Sequence, residues 1–377
     1  MWKKSLFLVA VLSLVLAAAA VPVVAETANG TLEFVEELPV GGTLDVENLL
    51  GSVTIRGGGE DRTARIEARV VADAKTEEDA QELVDSIRLE SSGEEGNYAV
   101  QIVFPVERHS AFQSPRSEKK GVMGKWISPV IDRDIVAVQY GGRMVRVGNK
   151  KGAAALSVDL VITVPMDVRT NVRQFVGSID GATSRGEMHL EVIEGWIQAD
   201  QIYGILHARS GGGRVEVTSF HGEELGLQTD SGDLELMEIE TRKARLTTGS
   251  GKIEISGITV DEIHVESSSG DVAIQGLLPG NLSVRTATGK IDLAPDFKQM
   301  NEALIESTEG DVTLRVSAIS SFYLQARTKS GEVKTKGLKL TPQQPVDGAL
   351  GFRAGSGGPQ VRVNAGGGEL TVRRDDS

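Results

Sequence analysis

The sequence predicts a mainly β protein: a parallel β-solenoid, or β-helix, with coils of about 19–21 residues and a small α+β layer before it. Three observations predict this fold. A glycine recurs at near-constant spacing, apolar residues alternate with period two on both sides of it, and the charge beside it changes sign between repeats. Only 4% of the 377 residues are aromatic, so Val, Ile, Leu and Ala must fill the core.

One glycine marks each repeat unit. The aligned glycines are Gly177, Gly195, Gly213, Gly232, Gly251, Gly270, Gly289, Gly310, Gly331 and Gly368. From Gly195 to Gly331 the spacings are 18, 19, 19, 19, 19, 21 and 21 residues, and such a period is typical of stacked arrays. Apolar residues stand two and four positions after the glycine, as in Ile253 and Ile255, and five and seven positions before it. This alternation predicts two short strands per unit, each with one buried face.

A hydroxyl side chain stands three residues before the glycine in the units from Ser210 to Thr328. Ser and Thr at turns bond neighbouring backbone groups, so a stack of hydroxyls can satisfy the amides of successive corners. We therefore expect a structural role for this column. A binding face formed by the same hydroxyls is the alternative.

The residue directly after the glycine alternates in charge. The column reads Arg214, Asp233, Lys252, Asp271, Lys290, Asp311 and Glu332. Equivalent residues are neighbours only when the units stack in parallel, about 4.8 Å apart. Opposite charges at that spacing attract each other, whereas an antiparallel meander would not bring them together. The alternation therefore favours a solenoid.

The array is interrupted by a polar, Pro- and Gly-rich segment over residues 339–357. A last unit follows, with Val361, Val363, Leu370 and Val372 in the apolar columns. We expect this unit to end the stack, and the charged run from Arg373 to Asp376 to protect the open end against further strand pairing.

The N-terminus predicts export. Residues 1–25 read as a signal peptide, because two lysines precede an apolar run and Val23-Val24-Ala25 offers a cleavage site. A retained membrane anchor is the alternative, since the run is just long enough to span a bilayer. Cleavage would change the formal charge from −13 to −15, which argues against a nucleic-acid partner. The expected location is the periplasm, the cell surface or the medium.

Residues 26–165 are predicted to form the α+β region, and residues 166–377 the solenoid domain. In the first region, Thr76 is placed to cap a helix that presents Ala80, Leu83, Val84 and Ile87 on one face. Strands are expected at 65–71, 98–104 and 156–164, and Gly51-Ser52-Val53-Thr54-Ile55 is similar to the start of one coil.

An insertion at residues 106–152 differs from the rest of this acidic chain, since it holds ten Lys or Arg against four acids. Basic residues with exposed aromatic side chains suit anionic polymers or lipid headgroups. The candidate partner-binding residues are Arg108, Phe112, Lys119, Lys120, Lys125, Trp126, Tyr140 and Arg143. The alternative is a β-hairpin, 135–140 with 143–147, that carries a solvated loop. Candidate partners are an envelope or surface polysaccharide, anionic lipid headgroups or another envelope protein.

The sequence predicts no catalytic residues, no cofactor and no metal site. The five histidines lack a metal-binding spacing, and the chain contains no cysteine. The Gly-Asp pairs are similar to those of calcium-binding β-rolls but lack the nonapeptide repeat. A polysaccharide lyase or hydrolase on a β-helix is the enzyme alternative, with Asp233, Lys252, Asp271 and Lys290 as its candidate groups.

The repeated Ser/Thr-x-Ser-Gly-Asp/Lys signature, as in Thr229 to Leu234 and Thr248 to Ile253, resembles the bacterial putative-adhesin family. The resemblance covers most of residues 40–375, and the basic insertion has no counterpart in the family pattern. It implies an exported β-solenoid at the cell envelope without an assigned active site. A non-enzymatic, adhesin-like binding or scaffolding module is therefore the expected function.

Overall fold

The computed structural model of the protein describes residues 25–58, 62–115, 135–346 and 348–375. The predicted signal segment lies outside these residues except for Ala25. In the described part, one β-sheet continues from strand to strand through the stack and into the N-terminal region.

The N-terminal region contains nine strands and a helix within the described residues. They are β1 (Glu26–Glu37), β2 (Thr43–Gly57), β3 (Thr63–Ala74), α1 (Glu77–Asp85), β4 (Arg88–Glu94), β5 (Asn97–Val103), β6 (Ala111–Gln113), β7 (Val136–Tyr140), β8 (Arg143–Val147) and β9 (Ala154–Val164). The Thr76 side chain caps α1 by accepting a hydrogen bond from the Asp79 amide, as the sequence predicts. The predicted hairpin is β7 paired antiparallel with β8.

The stack of coils begins before residue 166. Strand β2 pairs in parallel with β10 (Val168–Ser210), and Gly51 lies opposite Gly177 in that register. Residues 51–55 are similar to a coil because they belong to one. The predicted boundary at residue 166 is therefore wrong for β2, which is part of the stack and not of the N-terminal layer. On the other edge of β2, strand β9 pairs in parallel, and β3 then pairs antiparallel with β9.

The repeats stack in parallel with the register predicted from the glycines. The remaining strands are β11 (Val215–Thr229), β12 (Leu234–Thr248), β13 (Ile253–Ser267), β14 (Val272–Thr286), β15 (Ile291–Pro295), β16 (Glu302–Ser307), β17 (Val312–Val316), β18 (Phe322–Arg327), β19 (Val333–Lys336), β20 (Thr341–Val346), β21 (Ala349–Ala354), β22 (Gln360–Asn364) and β23 (Leu370–Arg374). Ile253, for example, lies between Leu234 and Val272.

The coils of β11 to β14 have three sides each, whereas later coils such as β22 with β23 have the two strands predicted. In β11 the paired residues form three runs, 215–218, 220–222 and 224–229, separated by Ser219 and Glu223. We call these the first, second and third sides. Ser219 has a left-handed backbone (φ 54°) and turns the chain between the first two sides. Thr183, Gln201 and Glu238 repeat this conformation in other coils, although non-glycine residues seldom adopt it.

The hydroxyl column is structural, as expected. The Thr248 hydroxyl accepts a hydrogen bond from the Gly251 amide (3.0 Å) and donates one to the Gly232 carbonyl (3.2 Å) of the preceding coil. Ser210 makes the same two contacts with Gly213 (2.9 Å) and Gly195 (2.8 Å). The hydroxyls of Ser210, Thr229 and Thr248 therefore tie their own corners to the preceding coil.

The alternating charge column has a different physical basis from the one predicted. The Asp233 carboxylate accepts a hydrogen bond from the Lys252 backbone amide (2.7 Å), and Asp271 does the same for Lys290 (2.8 Å). The Lys252 ammonium instead pairs with Glu254 in its own coil, and this hydrogen bond raises the pKa of Lys252. The aspartates are thus amide acceptors between coils, and the predicted attraction is present as a smaller effect, since the charges of Asp271 and Asp233 also raise the pKa of Lys252.

The last unit in the sequence does not end the stack. Strand β22 pairs in parallel with β16 on one edge and with β18 on the other, and β23 lies likewise between β17 and β19. The C-terminal coil is therefore inserted between two coils that precede it in the chain. The expectation that Arg373 to Asp376 protect an open end is therefore wrong for Arg373 and Arg374, which lie on β23, while Asp376 lies outside the described residues. Beyond β18, the antiparallel pair β21 and β20 continues the sheet.

A polar groove on the third side

The third side of the stack carries a groove of about 800 Å³. Its floor is formed by outward-facing residues of β2, β10, β11 and β12, and residues of the β4–β5 hairpin line one end. The floor crosses six successive coils, so the groove is roughly 24 Å long at the spacing of a parallel sheet. Its shape suits an extended, chain-like ligand.

One column of the floor is rich in histidine. In the order of the stack it reads Asp45, Asn171, His189, His207, Gly226, Arg245 and His264, the last lying just beyond the groove. We call the part from His189 to His264 the histidine ladder. Each of its positions is six residues before a repeat glycine, so the three imidazoles are aligned by the same register that builds the core.

Two imidazoles of the ladder, His189 and His207, are held by packing. The rings of His189 and His207 stack with their centroids 4.9 Å apart and an interplanar angle of 25°. Gly226 lies against the His207 ring on the adjacent coil. A Cβ at residue 226 would be 2.5 Å from the His207 Nδ1 atom. A larger residue there would displace the ring, so glycine allows the close stacking.

A carboxylate lies beside each imidazole of the ladder. Glu187 Oε1 is 2.7 Å from His189 Nε2, Glu224 is 3.8 Å from His207, and Glu266 is 3.6 Å from His264. The hydrogen bond from His189, together with Arg169 at 2.7 Å, holds the pKa of Glu187 below its usual range. Glu187 is therefore ionised under ordinary conditions.

The neighbouring column of the floor contains charged and amide side chains. The Gln101 amide donates to Glu47 (2.8 Å), and Arg173 pairs with Glu191 (3.2 Å). Farther along, Arg209 is 3.9 Å from Asp230. Arg245, in the ladder itself, has no ion-pair partner among the described residues. The groove thus offers hydrogen-bond donors and acceptors along its length, with an unpaired guanidinium near one end.

The candidate residues of the basic insertion do not form one exposed surface. Phe112 and Tyr140 are buried: Phe112 packs against Phe104, and the Tyr140 hydroxyl donates a hydrogen bond to the Ile102 carbonyl. Burial raises the pKa of Tyr140. The expectation of exposed aromatics is therefore wrong for these two side chains, because β6 adds Phe112 to the core and β7 adds Tyr140.

The other candidates of the insertion are exposed or undescribed. Arg108 lies 3.2 Å from Glu82, and Arg143 lies 3.3 Å from Glu107; both guanidinium groups are exposed. Lys119, Lys120, Lys125 and Trp126 lie outside the described residues.

The candidate groups of the enzyme alternative have structural contacts. Asp233 and Asp271 accept backbone amides, and Lys252 pairs with Glu254. In the residues that the structure describes, no group of three or more histidine or acidic side chains is arranged to hold a metal ion. The same residues contain no helix with the length and apolar character needed to cross a bilayer.

The fold and the groove define the chain as a parallel β-solenoid protein with a polar groove along one side. Residues 157–373 match the Toastrack DUF4097 family, and the chain belongs to this family. The match confirms the family resemblance drawn from the repeated glycine signature. No curated protein matches the chain.

Three solved structures are similar to the chain at low identity. A putative lipid binding protein from Parabacteroides distasonis is 11% identical, with 92% of this chain and 97% of that chain covered and a TM-score of 0.38. A putative adhesin from Bacteroides fragilis is 10% identical with the same coverage and a TM-score of 0.33. A putative cell adhesion protein from Clostridium sporogenes is 8% identical, covering 92% and 100%, with a TM-score of 0.20.

Proposed function

We propose that the protein is an exported, non-enzymatic binding module of the cell envelope, and that the groove on the third side holds an extended polysaccharide. The observation that carries the proposal is the groove itself: a polar channel across six coils, with side chains repeated at a fixed spacing. Repeated weak contacts of this kind add up for a ligand that also repeats.

A binding role fits the chemistry of the floor better than hydrolysis or elimination. The charged groups of the groove are largely engaged with each other, as in the pairs Arg173–Glu191 and His189–Glu187. A glycosidase needs two carboxylates with different protonation states on opposite sides of the scissile bond. A binding surface needs only a fixed array of donors and acceptors, which the ladder geometry supplies.

The proposal is tested by measuring binding of the protein to an array of envelope and surface glycans, with release of reducing sugar assayed in the same wells. The blocking variant is Gln228→Trp, which places an indole on the exposed floor of the groove. The matched control is Ser256→Trp, an equally exposed strand position on the first side. We expect glycan binding that Gln228→Trp abolishes and Ser256→Trp leaves unchanged, without sugar release.

Two outcomes contradict the proposal. Release of reducing sugar would favour the carbohydrate-active enzyme. Binding that survives Gln228→Trp but is lost when residues 116–134 are replaced by a short Gly-Ser linker would move the site to the basic insertion, where Lys119, Lys120, Lys125 and Trp126 lie. Deletion of the whole insertion is unsuitable, because Phe112 and Tyr140 belong to the core.

A further inference from the structure

The histidines of this protein are concentrated on one face. Three of the five lie in the histidine ladder, within five successive coils. The other two pack elsewhere: His221 stacks on Tyr203 (5.7 Å between centroids) and His109 contacts the ring of Phe112 (6.1 Å). Histidine changes charge between about pH 5 and 8, so this face, with three histidines, gains more charge on mild acidification than the side that carries His221 alone.

Both signs of charge surround the ladder. The acidic groups near the ladder, on the strands packed around it, are Glu187, Glu191, Glu224, Glu262 and Glu266, and the basic groups are Arg169, Arg173, Arg209, Lys243, Arg245 and Arg285. Three further acids, Asp45, Glu47 and Glu90, lie toward the other end of the groove. At neutral pH the carboxylates offset the fixed cations. Protonation of the three imidazoles adds three positive charges and leaves the arginines in place.

We propose that the histidine ladder and Arg245 bind the carboxylates of an acidic polysaccharide and that this binding strengthens as the pH falls. The inference rests on the proposed function, since it names the ligand class of the same groove. Arg245 supplies a guanidinium without an ion-pair partner among the described residues, and guanidinium groups bind carboxylates through two parallel hydrogen bonds. His264, on the adjacent coil, and His207, two coils away on the other side, extend the cationic track in both directions from Arg245.

The geometry favours a polysaccharide over a membrane surface. The coil spacing of about 4.8 Å is close to the length that one pyranose adds to an extended chain, so successive sugars can meet successive coils. The floor of the groove is also recessed beside the β4–β5 hairpin. A flat bilayer would meet the hairpin before the floor at that end of the groove.

The experiment measures the affinity of the protein for an oligogalacturonate and for the methyl ester of the same oligomer, at about pH 7.5 and about pH 5.5. The two probes share a backbone and differ in charge, and the uronate carboxylates stay ionised at both values. We expect the acid form to bind about tenfold more tightly at the lower pH, since three half-exposed charges each add a modest factor. The methyl ester should bind weakly and without pH dependence.

Three variants separate the contributions. His207→Gln and His264→Gln should each reduce the pH response, whereas Arg245→Gln should weaken binding of the acid form at both pH values. The control is His221→Gln, which removes a histidine from another side of the stack and should change neither quantity. The substitutions are at exposed or half-exposed positions, and a thermal melt confirms that each variant is folded.

The possible results distinguish the two proposals. Equal binding of the acid and the ester, blocked by Gln228→Trp, would overturn the acidic-ligand inference and leave the polysaccharide groove standing. A pH response that persists in His207→Gln and His264→Gln would overturn the role of the ladder. Binding to phosphatidylglycerol vesicles but to neither oligomer would overturn both proposals.

Discussion

Gly251 lies directly over Gly232, so close that a Cβ on Gly251 would be 1.8 Å from the Gly232 carbonyl oxygen. The same relationship joins Gly270 to Gly251 (1.7 Å) and Gly213 to Gly195 (1.7 Å). Glycine is therefore required in this column, because the corners of successive coils approach more closely than any side chain allows. The atoms that a Cβ would meet are backbone atoms of the preceding coil, which can move only if the whole corner moves.

Gly251→Ala should lower the free energy of unfolding by roughly 2–4 kcal/mol, since the methyl group must push two coils apart. Chemical denaturation measures the effect. Ser250→Ala, at the adjacent exposed position, is the control and should be nearly neutral. Equal stability of Gly251→Ala and the parent protein would show that the corners are not in contact.

Ile253→Asp should disrupt the stack, because Ile253 is fully buried between Leu234 and Val272 and an unpaired carboxylate there costs several kcal/mol. Lys252→Ala should be mild, since Lys252 is exposed and its ion pair is with the exposed Glu254. The thermal melts of the two variants give the comparison. An unchanged melt for Ile253→Asp would mean that the register is wrong.

The position of the C-terminal coil between two earlier coils predicts which pair of engineered cysteines can form a disulfide. Thr371 lies beside Thr313 on one edge and Lys334 on the other, at the Cα spacing of about 4.8 Å that a disulfide accepts. Because the chain has no cysteine, Thr313→Cys with Thr371→Cys should crosslink on mild oxidation. Thr313→Cys with Lys334→Cys, two coils apart, should not. The opposite result, read on a non-reducing gel, would place the last coil at the end of the stack.

Asp180→Asn should raise the melting temperature slightly at neutral pH. Burial, and to a lesser degree the charge of Asp200, raises the pKa of Asp180 in the folded state, while Arg56 opposes the shift. A raised folded pKa means that the ionised form costs stability at neutral pH and that this cost disappears as the pH falls through it. The gain should therefore vanish in acid. A gain that persists at low pH would show that the ionisation of Asp180 is not its cause.

The sequence was sufficient to predict the solenoid, because each aligned position of the repeat requires one kind of residue. Residues such as Ile253 must be apolar, Gly251 must lack a side chain, and Thr248 must carry a hydroxyl. The helix cap at Thr76 and the β7–β8 hairpin were predictable for the same reason, since both depend on neighbours in the sequence.

Other features depend on contacts that the columns do not encode. The units of Gly331 and Gly368 carry the same sequence pattern, so either could stack on the unit of Gly310. Only the strand pairing shows that the unit of Gly368 lies between those of Gly310 and Gly331. The bends at Ser219 and Glu238 have no glycine to mark them.

The histidine ladder could have been found in the sequence. It occupies the position six residues before each glycine, between two apolar columns, and reading that outward column gives His189, His207, Arg245 and His264 in nearly consecutive units. The burial of Tyr140 could not have been found in the sequence, because its partners Phe104 and Phe175 are each about 35 residues away along the chain.

The crystal structure of the protein with an acidic oligosaccharide tests the groove as the binding site most directly. We expect the ligand to lie along the third side, with carboxylates at Arg245 and the neighbouring imidazoles and with sugar hydroxyls near Gln228 and Thr247. A ligand bound on the first or second side, or held by residues 116–134, would contradict the assignment of the groove.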